Sequence, residues 1–259
     1  MKIAIIASAK DPAGMKIIQN LLKLKKFPAR IGEHDVNIFQ REEGIVHLEN
    51  IDGEIEADIF VFASKHVSRA GIHSLTVHSL GNWNKAEAGG IERKIVPAPA
   101  ALMKLCLKLL DDKAKDVHYE VIQEATHHGP FLRKPAMFIE IGCSEKSWTD
   151  LTAGRIVADV IIEAIQSYNC ENGENALGIG GMHHCPNFRK IMLSSDESVS
   201  HVCPKHMLEF LDDEMIKEAM EKSGAKKIVL DWKGLGKEKE RIVKLISEMG
   251  IEFRRTKDY

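Results

Sequence analysis

The side chains able to do chemistry in this sequence gather just after short apolar runs. Ala57–Ala63 leads into Ser64-Lys65-His66, and Val117–Gln123 leads into Glu124-Ala125-Thr126-His127-His128-Gly129-Pro130. Ala176–Ile179 leads into Gly180-Gly181-Met182-His183-His184-Cys185-Pro186, and a last run ends in Asp231-Trp232-Lys233. Imidazole is the usual general base near neutral pH and the commonest zinc ligand. Neighbours in extended chain point opposite ways. One histidine of each pair, His127–His128 and His183–His184, is therefore expected to face a pocket, and its partner to pack or orient a neighbour. A lone histidine is more often a surface or hydrogen-bonded core residue, but two pairs flanked by glycine in such loops favour function.

Other residues are weighed beside them. Glu140 interrupts the apolar run Met137–Ile141, where an unpaired buried carboxylate is costly. It either meets a metal or cation or lies at the open end of a strand. Glu124 suits a metal-bound water or a contact that orients a histidine. Gly178-Ile179-Gly180-Gly181 lacks GxGxxG spacing; it offers either N–H donors to an oxyanion or phosphate or a tight turn. Cys185 follows His184, yet no third orienting residue is apparent, so a small buried thiol is expected there. The spacing of His201 and His206 matches no metal motif, and His201 is expected in a plain loop.

The elements that must position these groups follow the α/β pattern of alternating apolar and amphipathic segments. The patterning predicts strands at Lys2–Ala7, Ala57–Ala63, Val117–Gln123, Ala136–Gly142, Ala176–Ile179 and Lys227–Asp231. It predicts helices at Gly14–Lys25, Ala98–Leu110, Thr149–Ser167, Leu208–Lys222 and Lys237–Glu248. The helix from Thr149 carries Ser147 three residues before Asp150, a capping-box-like start. Between Arg30 and Asp52, Val46, Leu48 and Ile51 suggest an edge hairpin. Ligands of open α/β sheets bind outside the carboxyl ends of the strands, so these strand ends are expected to share one pocket.

The 259 residues suffice for a single domain, residues 1–259, and 44% hydrophobic with 29% charged residues is globular composition. No apolar run approaches the ~20 residues of a membrane span. Five cysteines without a CxxC pair point to a reducing, cytoplasmic setting. The net charge of −2 does not advertise nucleic acid. Its distribution is uneven: −6 over Asp196–Glu221 and +4 over Lys226–Tyr259. These runs fit solvated helical faces or, for the second, a basic surface for an anionic partner.

Five segments in order resemble the archaeal and plant type of D-aminoacyl-tRNA deacylase. They are Ser64-Lys65-His66, His73-Ser74-Leu75-Thr76-Val77-His78-Ser79-Leu80-Gly81-Asn82-Trp83, Glu124 to Pro130, Ile139-Glu140-Ile141-Gly142-Cys143-Ser144, and Gly178 to His184. The resemblance covers nearly the whole chain. It implies hydrolysis of the ester joining a D-amino acid to tRNA, zinc as cofactor, and tRNA as partner. It also implies a three-layer α/β/α sandwich of the phosphorylase/hydrolase-like type with a mixed, mostly parallel sheet. No membrane and no obligate protein partner is expected. With the physical reading, it assigns His127, His183 and Glu124 to catalysis, and Lys65, Thr76, His78, Gly180 and Gly181 to substrate binding. His66, His128, Glu140 and His184 are assigned to metal. Three rival readings are a zinc peptidase or nucleoside-type hydrolase on the same fold, a non-catalytic tRNA-binding protein, and a purely structural zinc site.

Overall fold

A computed structural model describes residues 1–68, 71–169 and 174–259; Cys170 lies outside the described residues. The chain opens with β1 (Lys2–Ser8), α1 (Pro12–Leu24), β2 (Ala29–Ile31) and β3 (His34–Arg41). It continues through β4 (Ile59–Val67), β5 (Ser74–Ser79), α2 (Ala100–Lys113), β6 (Glu120–Gln123) and β7 (Ala136–Cys143). Then follow α3 (Glu145–Trp148), α4 (Leu151–Ser167), β8 (Glu174–Ile179), α5 (Pro186–Ser194) and β9 (Glu197–Cys203). Last come α6 (Asp213–Ser223), β10 (Lys227–Leu230), α7 (Lys239–Glu248) and β11 (Phe253–Arg255).

The expected α/β class with a mixed, mostly parallel sheet is present, together with a second sheet the patterning does not announce. Seven strands run in the order β2-β3-β1-β4-β7-β5-β6, and four in the order β11-β10-β8-β9. In the larger sheet β2 and β3, and β5 and β7, pair antiparallel; its other pairings are parallel. The smaller sheet is wholly parallel.

Strand alternation explains which faces are buried by what. Ile3, Ile5, Val61, Ala63, Leu75, Val77, Ile139 and Ile141 join one core cluster with Ile17, Leu102, Val157 and Ile161 of the helices α1, α2 and α4. The opposite face presents Ala4, Ile6, Phe60, Phe62 and Phe138, and among the described residues no α-helix contributes to the cluster on it. Ile45, Leu48 and Ile51, on two 3-10 turns, close that face instead. Each such aliphatic or aromatic side chain contributes roughly 1.5–3 kcal/mol on full burial. The smaller sheet is flanked on both sides, by α5 through Phe188, Ile191 and Met192 and by α6 and α7 through Ile216, Ile242 and Ile246.

Several expected elements shift. The edge hairpin lies earlier, at β2–β3, because Val46, Leu48 and Ile51 belong to the turns over the sheet. Helix α4 starts at Leu151, since Asp150 itself is the cap and accepts from Thr152 N and Ala153 N; Ser147 is in α3. The predicted run Leu208–Lys222 is broken: residues 205–210 form a 3-10 turn and Asp212 caps α6. His201 is not in a loop but wholly buried on β9.

Candidate active site

The site grows on the helix-free face of the larger sheet. In the β4–β7 register Ser64 stands beside Glu140, and in the β5–β7 register Thr76 stands on its other side. Alternation puts His66, two residues beyond Ser64, and His78, two beyond Thr76, on that same face. Glu140 thus escapes the helix-facing core occupied by Ile139 and Ile141. Thr76 Oγ1 donates to Glu140 Oε2 at 3.4 Å, His66 Nδ1 lies 3.7 Å from the same oxygen, and His78 Nε2 lies 3.5 Å from it.

The loop after β6 closes over this face and is pinned to β9 and the 183 loop. Ala125 N donates to His183 O at 2.7 Å and Thr126 N to Val202 O at 3.1 Å. Thr126 Oγ1 also meets Ser79 Oγ at 2.8 Å and His201 Nδ1 at 3.1 Å. The buried polar residues of β9 therefore hold a working loop in place. His128 adopts φ of 44°, and this left-handed turn breaks the alternation on which the sequence reading relied. Both rings of the first pair enter the site, their centroids 4.3 Å apart. In the second pair His183 reaches the cluster and His184 does not.

Three histidines share one hydrogen-bonding pattern. Nδ1 of His78, His127 and His128 donates to the carbonyls of Ser79, Ala125 and Gly129 at 3.1, 2.8 and 2.7 Å. A carbonyl only accepts, so Nδ1 carries a proton in all three; the neutral rings of His127 and His128 turn an Nε2 lone pair inward, and His78 Nε2 faces Glu140. His78 Nε2 is buried without a hydrogen-bond partner. Burial and the neighbouring His78 lower the pKa of His127 well below its ordinary value and bring His128 down to about 4. Both are neutral imidazoles at physiological pH. Burial opposes a charge on His78, which Glu140 nevertheless raises.

The carboxylates are the counterpart. Glu124 is wholly buried, with Oε1 3.1 Å from His66 Nδ1 and Oε2 3.1 Å from His183 Nε2. Burial opposes its charge, yet the hydrogen bonds from His183 and His66 hold its pKa well below the usual range. Burial likewise opposes the charge on His66, but Glu124 and Glu140 lift it to about 10. Without a cation the imidazolium of His66 separates the two carboxylates; a divalent ion would take that role with His66 neutral.

Ligating atoms converge within 4.8 Å in three overlapping sets: His78, His127 and His128; Glu124, His127 and His183; and His66, Glu124 and Glu140. Three inward Nε2 atoms, the one on His78 lacking a hydrogen-bond partner, and two carboxylates fit a divalent cation, and the nitrogen-rich set suits zinc. His66, His127, His128, Glu140 and His183 line a cavity of about 510 Å³, which Gly44, Ile45, Val46, Ser8, Lys10, Asp11 and Lys65 also border.

The expected site residues fall into two groups. His66, Glu124, His127, His128, Glu140 and His183 come together, and Lys65 lines the cavity with Nζ 5.1 Å from the Trp148 ring centroid. Thr76 and His78 were expected against substrate, but both are 0% exposed; they act from beneath, on Glu140 and in the histidine set. His184 belongs to none of the three sets among the described residues, its ring 6.2 Å from that of His66. Gly180 and Gly181, at φ of 99° and 84°, bend the chain where space is tight: Gly180 N extends the β8–β9 pairing to Cys203 O at 2.8 Å, and a Cβ on Gly181 would lie 2.8 Å from Asp231 Oδ2. Cys185 is buried, as expected. Sequence reading passed over Asp11, which accepts from Ser64 Oγ and Lys65 N at 3.0 Å each. The signal was available, since Ser8 to Asp11 also follow a strand end.

A family model described as D-aminoacyl-tRNA deacylase matches residues 53–254. A D-aminoacyl-tRNA deacylase of Pyrococcus furiosus is 36% identical, over 98% of this chain and 99% of that protein. One of Thermococcus onnurineus is 34% identical, also over 98% of this chain and 99% of its own. A crystal structure described as a conserved protein of unknown function superposes with a TM-score of 0.91 at 30% identity, covering 100% of this chain and 96% of that one.

Proposed function

This chain belongs to the D-aminoacyl-tRNA deacylase family, and we propose that it hydrolyses the ester joining a D-amino acid to the terminal ribose of tRNA. The products are free amino acid and tRNA, and residues 1–259 act as one domain, in the cytoplasm where charged tRNA is used. The observation that carries the reading is two sets of converging ligand atoms joined at His127, one with His78 and His128 and one with the ionised Glu124 and His183, directly beneath a cavity that His127, His128 and His183 line.

Hydrolysis of an ester needs an attacking water, an acceptor for its proton and stabilisation of the oxyanion. The residues that would hold zinc are His78, His127 and His128, with Glu124, Glu140, His66 and His183 around the same space. When bound, zinc supplies a Lewis acid that polarises the carbonyl and brings the pKa of a water from 15.7 to about 7. Glu124 is the proton acceptor: it is buried, ionised and aimed by His183 and His66. His183, part exposed at the cavity edge, returns a proton to the leaving ribose oxygen. Glu140, held by Thr76, fixes His66 and His78. Lys65, held over Trp148, contacts the substrate from the cavity lining.

Purified protein offered D- and L-aminoacyl-tRNA, with a peptide and a nucleoside alongside, should release amino acid from the D-ester. His127→Ala and His183→Ala should each lower kcat roughly 100-fold or more while the protein stays folded. Turnover of the peptide or nucleoside but not of the tRNA ester, or normal rates in both variants, would overturn the reading.

A further inference from the structure

A second groove, of about 550 Å³, meets the catalytic cavity at His183, which lines both. Its walls are the 181–183 turn, the 3-10 turn at 205–210 and the segment entering α7. Two lysines border it, Lys205 and Lys237, and neither makes an ion pair among the described residues. Of the acidic residues there, Glu238 is neutralised by Arg241 at 2.7 Å, and Glu209 is exposed on the rim. The stem of Lys205 crosses Gly236, where a Cβ would lie 2.9 Å from Lys205 Cε. That glycine, at φ of 56°, leaves room for the ammonium to reach the groove.

We propose that this groove receives the single-stranded acceptor end of tRNA, with Lys205 and Lys237 on its phosphates and Met182 and His206 against a base. The assignment rests on the deacylase reading, because the ester must lie beside His183 while the polyanion behind it leaves the cavity. Unpaired ammonium groups at the exit match a phosphate backbone. Met182 is 67% exposed and the His206 ring lies 6.5 Å from that of His183, an apolar and aromatic edge of the kind on which bases stack. The cationic surface continues beyond the groove. Lys239 Nζ and Arg255 Cζ flank Trp232 at 5.2 and 5.3 Å from its ring centroid. The excess positive charge of the C-terminal segment thereby gains a use that the catalytic cavity does not explain.

The test measures binding of uncharged tRNA to wild type and to Lys205→Ala/Lys237→Ala across a salt series, and hydrolysis of two esters, D-aminoacyl-tRNA and D-aminoacyl-adenosine. Each lost contact to a single-stranded phosphate removes roughly 0.7 from the log–log salt slope. The double variant should therefore bind tRNA at least tenfold more weakly, with a slope shallower by about 1.4. The ratio of kcat/KM on the tRNA ester to that on the adenosine ester should fall by a similar factor. Unchanged affinity and slope would overturn the groove assignment. A wild type that binds tRNA through these lysines yet hydrolyses neither ester would refute the deacylase reading and leave the groove standing.

Discussion

Zinc added to metal-free protein should raise its thermal stability, and loss of one imidazole should erase most of the gain. The metal-free cluster buries Glu124 and Glu140 beside a His78 Nε2 that makes no hydrogen bond, so the folded state offers a site that the unfolded chain lacks. A ligand binding only the folded state stabilises it by RT ln(1 + [L]/Kd), about 4 kcal/mol at free zinc 1,000-fold above Kd. For a chain of this size 1 kcal/mol moves Tm by roughly 2–4 °C, so zinc should raise Tm by roughly 8–16 °C. His128→Asn tests the geometry, since Asn tolerates the positive φ at that position and removes the inward nitrogen. Losing even a group that only orients a ligand costs 10–100-fold in affinity, so a lost ligand should cost at least about 100-fold. At the same free zinc the stabilisation falls to about 1.4 kcal/mol, or roughly 3–6 °C. Scanning calorimetry in zinc-buffered solutions, with magnesium as comparator, reads both shifts. An equal response to magnesium, or equal zinc shifts in wild type and variant, would refute the reasoning.

Two further outcomes follow from buried groups around the site. Burial lowers the pKa of His201 from 6.5 to about 3, so between those values the unfolded chain binds a proton that the folded chain refuses. Stability is then fully present above pH 6.5 and lost as pH falls toward 3, and this group alone should remove about 2 kcal/mol between pH 6 and 4.5. Urea titrations of wild type and His201→Gln in chelator should converge by that amount on acidification; parallel curves would show that His201 is already charged in the folded state. Thr76→Val keeps shape but removes the hydrogen bond to Glu140, and should weaken zinc affinity roughly tenfold. A purely structural Thr76 would change urea stability and leave zinc affinity unmoved.

Much of the fold is legible because hydrophobic runs have physical causes. Ile3–Ala7 and Ala136–Ile139 are buried on both faces of a largely parallel sheet and read as continuous apolar stretches. Strand β9 is the opposite case. Its Ser198, Ser200 and His201 are buried and polar, and a sequence ESVSHVC carries no signal that Thr126 and Ser79 await across the interface. The helix-free face is similarly silent, because Ile45, Leu48 and Ile51 cover it from 3-10 turns with no regular period.

The site divides along the same line. That the candidate groups gather at strand ends was legible, and Asp11 obeys the same rule. Which side chains turn inward was not, because that depends on backbone angles and registers. A single left-handed residue, His128, brings both rings of one pair into the cluster, whereas its absence from the other pair leaves only His183 inside. Glu140 looked anomalous in an apolar run, yet β-alternation gives it a face of its own between Ser64 and Thr76. Thr76 and His78, which the resemblance assigns to substrate, share that face but are 0% exposed: a residue can belong to the face of the site and still lie beneath the floor of the cavity. The inner rows, which substrate cannot reach, therefore position the ligands. The surfaces left for a substrate to touch are those that line the cavity itself, Gly44 to Val46, His183 and Lys65 among them.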